Sequence, residues 1–346
     1  MPSILETEIY EQPAALEHFL AAGSDIANRL AQKLAQCHIT QVVIAARGSS
    51  DNAARYAQYL FGVYHRLPVT LAAPSLYTLY NAPPRLSEAL VIGISQSGRS
   101  PDIIQVLENA RAQGLPTLAI TNAPDAPLAN AAEWVLPLGI GEERAVAATK
   151  SYTTSLAALA LLSTALAKDE PRRSQLACVP NWMRQTLTGL ETALPRVERY
   201  SYIQRSVVIG RGFNYATAFE IALKIKELTR AEAAPYSSAD FLHGPISMVE
   251  RRFPLLVIAP AGQAFADVAA CAATAQQRGA EMIVISHEAT LLAQARLPLP
   301  LPDGVPEWLS PLVAVLPGQL FALQLARAKG YSTDFPEGLE KVTETL

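Results

Sequence analysis

The residues of this sequence that could do chemistry fall in separate stretches. Ser95-Gln96-Ser97-Gly98 ends an apolar run and is followed by Ser100 and Pro101. Hydroxyls, an amide and backbone N–H groups set before a helix start form an anion site, because the helix dipole and the orphan first-turn amides both favour negative charge. Taken alone, the loop could equally be a polar turn that caps its helix. A Gly-x-Ser-x-Gly hydrolase elbow is excluded, since Gly93-Ile94-Ser95-Gln96 is followed by Ser97. Farther along, Glu220, Lys224 and Glu227 fall within an arc of about 60° on a helix. Phe219, Ile221, Leu223, Ile225 and Leu228 cover much of the remaining circumference, so the stripe is expected to be buried against a cavity, where a carboxylate can carry a proton. The alternative is a solvated surface bridge. His243 precedes a Gly244-Pro245 turn, which sets it on an ordered loop, although a lone histidine there reads equally well as structural. Lys341 lies in a terminal segment whose Leu339, Val342 and Leu346 could dock it.

These residues must be held by alternating strands and helices. Residues 5–36 carry apolar positions at helical spacing, and Val42–Ala46, Val69–Ala73, Ala89–Ile94, Thr117–Thr121 and Trp134–Leu138 read as strands with helices between most of them. The order recurs about 165 residues later: Val207–Gly212 answers Val42–Gly48, Leu255–Ala259 answers Ala89–Ile94, and Met282–Ser286 answers Thr117–Thr121. Leu297–Pro302 answers Trp134–Leu138 loosely, and its prolines suit an edge strand or an extended segment. Long helices at Thr149–Ala167 and Pro317–Lys329 close the two halves, and a linker is expected near Lys168–Pro195. The expectation is an α/β protein of two tandem domains related by internal duplication. Each is a parallel sheet flanked by helices, a three-layer flavodoxin-like or Rossmann-like arrangement. The expected divisions are 1–36 (helices), 37–180 (anion loop), 181–330 (charged helix and His-Gly-Pro loop) and 331–346 (tail). The copies differ where Ser95-Gln96-Ser97-Gly98 becomes Pro260-Ala261-Gly262, so only the first half keeps the hydroxyls.

Composition narrows the class. Half of the 346 residues are hydrophobic, and the net charge of −3 gives no footprint for nucleic acid or an anionic membrane. Cys37, Cys178 and Cys271 are too far apart to form a ligand pair, so no metal site or disulfide framework is indicated; they read as buried small hydrophobes in a reducing cytoplasm. The first residues, with Glu6, Glu8 and Glu11, do not resemble a signal peptide, and the longest apolar stretch, around Leu156–Ala167, falls short of a membrane span. A cytoplasmic protein without cofactor is expected.

Ser-Gln-Ser-Gly joined to Val146-Ala147-Ala148-Thr149-Lys150, the Glu-x-x-x-Lys-x-x-Glu helix, His243-Gly244-Pro245 and the terminal Lys341-Val342-Thr343 resembles the sugar isomerase (SIS) family. The resemblance is to the isomerase half of glutamine–fructose-6-phosphate aminotransferase and covers nearly the whole chain. It implies two SIS domains and a sugar phosphate held by Ser50, Ser95, Gln96, Ser97 and Ser100, with Val146 and Ala148 lining the pocket. It also implies Glu227 as the base that moves a proton between C1 and C2, Lys224 as the lysine that positions it, and Glu220 as the other acidic residue of the helix. His243 would open the sugar ring in a neighbouring subunit of a homodimer, and Lys341 would contact the open-chain sugar and form an imine with its carbonyl. The chain starts Met1-Pro2, without the cysteine nucleophile that would release ammonia from glutamine, so the expected direction is breakdown, as in the SIS-type glucosamine-6-phosphate deaminases. A fructosamine-6-phosphate enzyme, a plain phosphosugar isomerase and a non-catalytic sugar-phosphate sensor are the alternatives.

Overall fold

The computed structural model describes residues 2–341. The chain divides into two units. One holds Arg144–Thr149 and Cys178–Leu339 together with the N-terminal stretch up to Pro13, and the other holds Ala14–Glu143 and Lys150–Ala177 together with Glu340 and Lys341.

In the unit that contains the anion loop, five parallel strands are arranged in the order β2-β1-β3-β4-β5: β1 (Gln41–Ala46), β2 (Val69–Leu71), β3 (Ala89–Ile94), β4 (Thr117–Thr121) and β5 (Trp134–Pro137). Every residue of β3 and β4 is buried, which is why they read as unbroken apolar runs and not as alternating ones. After α1 (Ile4–Leu34), the helices are α2 (Gly48–His65), α3 (Ser75–Thr78), α4 (Pro101–Ala112), α5 (Pro127–Ala131), α6 (Lys150–Ala167) and α7 (Glu170–Ala177). Val43, Ala45, Val91 and Ala119 of the sheet meet Ile103, Val106 and Leu107 of α4, while α2 packs on β1 and β3 and against α6.

The other unit repeats the plan with β6 (Arg205–Ile209), β7 (Glu232–Tyr236), β8 (Pro254–Ile258), β9 (Glu281–Ser286) and β10 (Leu297–Pro300), again all parallel, in the order β10-β9-β8-β6-β7. Read from the other edge, this is the order of the first sheet, so the duplication extends to topology. The helices are α8 (Val179–Gly189), α9 (Asn214–Thr229), α10 (Ser238–Leu242), α11 (Phe265–Gln277), α12 (Ala289–Leu292) and α13 (Ser310–Ala328). Both edge strands carry proline, at Pro235 in β7 and at Pro298 and Pro300 in β10, which an edge tolerates because one side of it has no ladder partner. Strand β7 escapes a sequence reading, being five residues of Glu-Ala-Ala-Pro-Tyr.

Several expectations are corrected. The N-terminal helices are one helix, and α1 runs through Pro13. Proline takes an N–H away from the helix ladder, and the side chain of Gln12 replaces it by donating from Nε2 to the Ile9 carbonyl at 3.0 Å and to Gln319 Oε1 at 2.7 Å. Helix α13 begins at Ser310, so Pro317 lies inside it and does not start it. Next to Pro317, Gly318 allows α9 to come close, since a Cβ there would sit 2.2 Å from Cδ1 of Ile221. The expected linker forms α7 and α8. Of the cysteines only Cys271 is buried, its thiol pushed up to about 11 by burial, whereas Cys178 is exposed and Cys37 is half-buried. Among the described residues, the helical stretch that is both long and strongly apolar is Glu307–Ala328 and not the one around Leu156. It is long and apolar enough to cross a membrane, but 94% of that window is buried, and α13 packs against α8 and α9 as a core helix.

Candidate active site

The anion loop sits at the C-terminal end of β3, where parallel sheets place their ligands. Gly98 turns the chain with φ +64°, and a Cβ there would lie 2.7 Å from that of Ala126, so only glycine fits. The turn is held by its own hydroxyls: Gly98 N–H donates to Ser95 Oγ at 3.2 Å, and Arg99 N–H donates to Ser97 Oγ at 3.3 Å. Accepting a bond uses one lone pair of a hydroxyl and leaves its hydrogen as a donor for an anion. Ser95 is buried, and Gln96, Ser97 and Ser100 are half-buried. Ser100 stands at the N-cap of α4 without spending its hydroxyl on the helix. Ser50, half-buried in the first turn of α2, belongs to the loop that follows the neighbouring strand β1.

Arg47 and Asp102 escape a reading by motif. Arg47 Nε and Nη2 both donate to Asp102 Oδ2, at 2.8 and 2.7 Å, and Asp102 Oδ1 accepts from the Ile103 N–H at 2.9 Å. The pair links the starts of α2 and α4, the two helices that carry Ser50 and Ser100. The available signal was positional: an arginine just after β1 and an acidic residue in the first turn of α4.

The second half shows what happened to the duplicate of this loop. Arg211, just after β6, pairs with Asp267 in the first turn of α11, as Arg47 pairs with Asp102. Ser238 Oγ and Arg211 both donate to Asp267, and these bonds hold its carboxyl below the usual range. The backbone donors at the matching place, however, are taken up from within the chain. Glu307 accepts the N–H groups of Gln263 at 2.9 Å and Ala264 at 3.0 Å just ahead of α11.

On α9 the charged stripe is buried at Glu220 and Lys224 and half-buried at Glu227. The side chains of Glu220 and Lys224 are 0% and 1% exposed and that of Glu227 is 23% exposed. Lys224 Nζ donates to Glu227 Oε2 at 2.5 Å and lies 3.5 Å from Glu220 Oε1. An ammonium buried to this degree needs carboxylates beside it, and the two here fix the rotamers of all three side chains.

Val146 and Ala148 are half-buried and belong to the unit that carries α9, where Val146 N–H donates to the Asp334 carbonyl at 3.1 Å. His243 caps the C-terminus of α10, a short helix started by Ser237 accepting from the Asp240 N–H at 3.1 Å and anchored by the fully buried Phe241. The His243 side chain is exposed on this loop, and the other four histidines stand in no such turn. Lys341 lies in the unit of the anion loop, where its Nζ donates to Glu143 Oε2 at 3.0 Å. Val342 and Thr343, with which Lys341 forms its terminal motif, and Leu346 lie outside the described residues.

The chain is 31% identical to the isomerising glutamine–fructose-6-phosphate aminotransferase of Brucella abortus over 355 residues, which is 97% of this chain and 58% of that protein. It therefore spans little more than half the length of this curated relative. The C-terminal domain of glucosamine–fructose-6-phosphate aminotransferase from Francisella tularensis superimposes with a TM-score of 0.87 at 25% identity, covering 97% of this chain and 99% of that one. The glucosamine-6-phosphate deaminase of Thermotoga maritima has the same fold, with a TM-score of 0.80 at 20% identity over 99% of this chain and 100% of that one. The SIS domain matches residues 33–165 and 201–327, one copy over each sheet, and the chain belongs to the SIS domain family.

Proposed function

We propose that this chain is a phosphosugar isomerase that acts on an amino-sugar 6-phosphate and releases ammonia. The observation that carries the reading is the Glu220–Lys224–Glu227 stripe, in which the buried Lys224 ammonium holds the buried Glu220 and the half-buried Glu227 carboxylates on one face of a largely apolar helix. In this reading Ser50, Ser95, Gln96, Ser97 and Ser100 hold the sugar phosphate, and Val146 and Ala148 line the pocket. His243 of a neighbouring subunit in a homodimer opens the ring. Lys341 meets the open-chain carbonyl.

The chemistry follows from placing one carboxylate beside two adjacent carbons. Glu227 takes the C2 proton of the open-chain 2-amino aldehyde, which becomes an enolamine, and returns the proton to C1. The product is an imine at C2, to which water adds; ammonia leaves and a ketose 6-phosphate remains. Because C1 and C2 are adjacent, one carboxylate oxygen can serve both once the sugar is held by its far phosphate. Lys224 fixes that oxygen in place.

The test is a panel of hexosamine and fructosamine 6-phosphates assayed for both ammonia and ketose, run in deuterated water. Ammonia and ketose from glucosamine 6-phosphate, with deuterium at C1, is the expected result. Isomerisation without ammonia marks a plain isomerase, release from fructosamine 6-phosphate alone a deglycase, and binding without exchange a sensor; each overturns the deaminase reading.

A further inference from the structure

Glu143 has no part in the scheme above, yet its surroundings are those of a working group. It lies between β5 and α6, and its side chain is 0% exposed. Oε1 accepts the Ser151 N–H at 3.0 Å, and Oε2 accepts the Ser151 hydroxyl at 2.7 Å and Lys341 Nζ at 3.0 Å. Ser151 belongs to the first turn of α6, so the carboxylate meets the positive end of that helix with well-directed donors. These bonds hold the carboxylate where it is, and a buried carboxylate is costly without a cation. Lys341, 198 residues away in sequence, supplies one.

We propose that Glu143 is the positioning residue for Lys341. It seats the C-terminal segment through the ammonium and accepts the proton that Lys341 must lose before it can attack a carbonyl. The proposal rests on the reading of Lys341 as the lysine that meets the sugar. In that step a proton moves from Lys341 Nζ to Glu143 Oε2. The freed amine lone pair then forms a bond to the carbonyl carbon of the open-chain sugar, whose C=O electrons move onto oxygen. The resulting carbinolamine loses water to give the imine, and hydrolysis of the imine returns the amine and the proton.

The experiment reads Lys341 with and without substrate. Its rate of modification by trinitrobenzenesulfonate, followed by peptide mass spectrometry, needs no activity. In Glu143→Gln, which keeps an acceptor for Ser151 but loses the charge, this rate should rise about tenfold or more, as expected for loss of a charge-assisted bond. Glu143→Asp, which keeps the charge at shorter reach, should fall between the two and serves if the glutamine variant does not fold. Borohydride trapping of glucosamine 6-phosphate on Lys341 should fall in Glu143→Gln while affinity for inorganic phosphate stays at the parent level. Parent-like modification of Lys341 in both variants overturns the proposal whatever the activity. Faster modification in a protein whose parent traps no sugar supports the seating role and overturns the imine step, and with it the reading of Lys341.

Discussion

Glu307 lays its carboxylate against the N–H of Ala264, at the place in the second half that Ser95–Gly98 marks in the first. A side-chain anion already satisfies the backbone donors there, and its intramolecular tether gives it a large advantage over a free phosphate. Each chain should therefore bind a single sugar phosphate. Calorimetry with glucosamine 6-phosphate should return one site per chain, and Glu307→Ala should lower the thermal midpoint without changing the affinity of that site. Two equivalent sites in the parent protein would refute the plug.

The Arg47–Asp102 pair is lopsided, the arginine side chain being 52% exposed and the aspartate fully buried. Arg47→Met takes the guanidinium away from a fully buried carboxylate and should cost about 2–3 kcal/mol of stability, toward the lower end for a buried pair because Asp102 keeps its backbone bond. Denaturant unfolding measures this. The same variant should weaken sugar-phosphate binding, since α2 and α4 lose their tie. A loss below about 0.5 kcal/mol, as expected for an ordinary surface pair, would count against the role.

Glu227→Gln keeps shape and hydrogen bonding but cannot take a proton from carbon. Turnover should fall by about 10²–10⁴-fold with binding preserved, and solvent deuterium should no longer enter the sugar. Lys224→Met should also reduce turnover, and it should cost stability as well, because Glu220 and Glu227 lose their shared cation. Deuterium entering at the parent rate in Glu227→Gln would assign the base elsewhere.

His65 illustrates a pH effect unrelated to the site. Its Nε2 is 2.8 Å from Ser163 Oγ, and burial first, then the nearby Arg172 guanidinium, push the imidazole below its ordinary pKa, against the effect of the Ser163 bond. The unfolded chain therefore takes up this proton first as the pH falls. The contribution to stability is complete above the unfolded pKa of about 6.5 and is lost as the pH drops from there through the folded value. Urea midpoints between about pH 7.5 and 5 should decline in the parent and decline less in His65→Gln. Equal slopes would remove His65 as the cause.

Much of this molecule is written locally. Runs such as Ala89–Ile94 and Met282–Ile285 are apolar throughout because strands covered on both faces have no wet side, so period, order and duplication could all be read from the chain. The anion loop was legible for a similar reason: Ser95-Gln96-Ser97-Gly98 before Ser100-Pro101 is a complete device within seven residues, including the glycine that its turn demands. The stripe on α9 followed from the geometry of one helix. Other features depend on partners distant in sequence, which no local window contains. The second bond of the Gln12 amide beside Pro13 depends on Gln319, the tie between α2 and α4 on Arg47 meeting Asp102, the occupied backbone donors before α11 on Glu307, and the seat of Lys341 on Glu143. Gln12, Asp102 and Glu143 are buried polar groups that had to find their counterparts, and Glu307 meets backbone donors ahead of a helix. Composition announces that need, and only the folded chain decides which residue meets it.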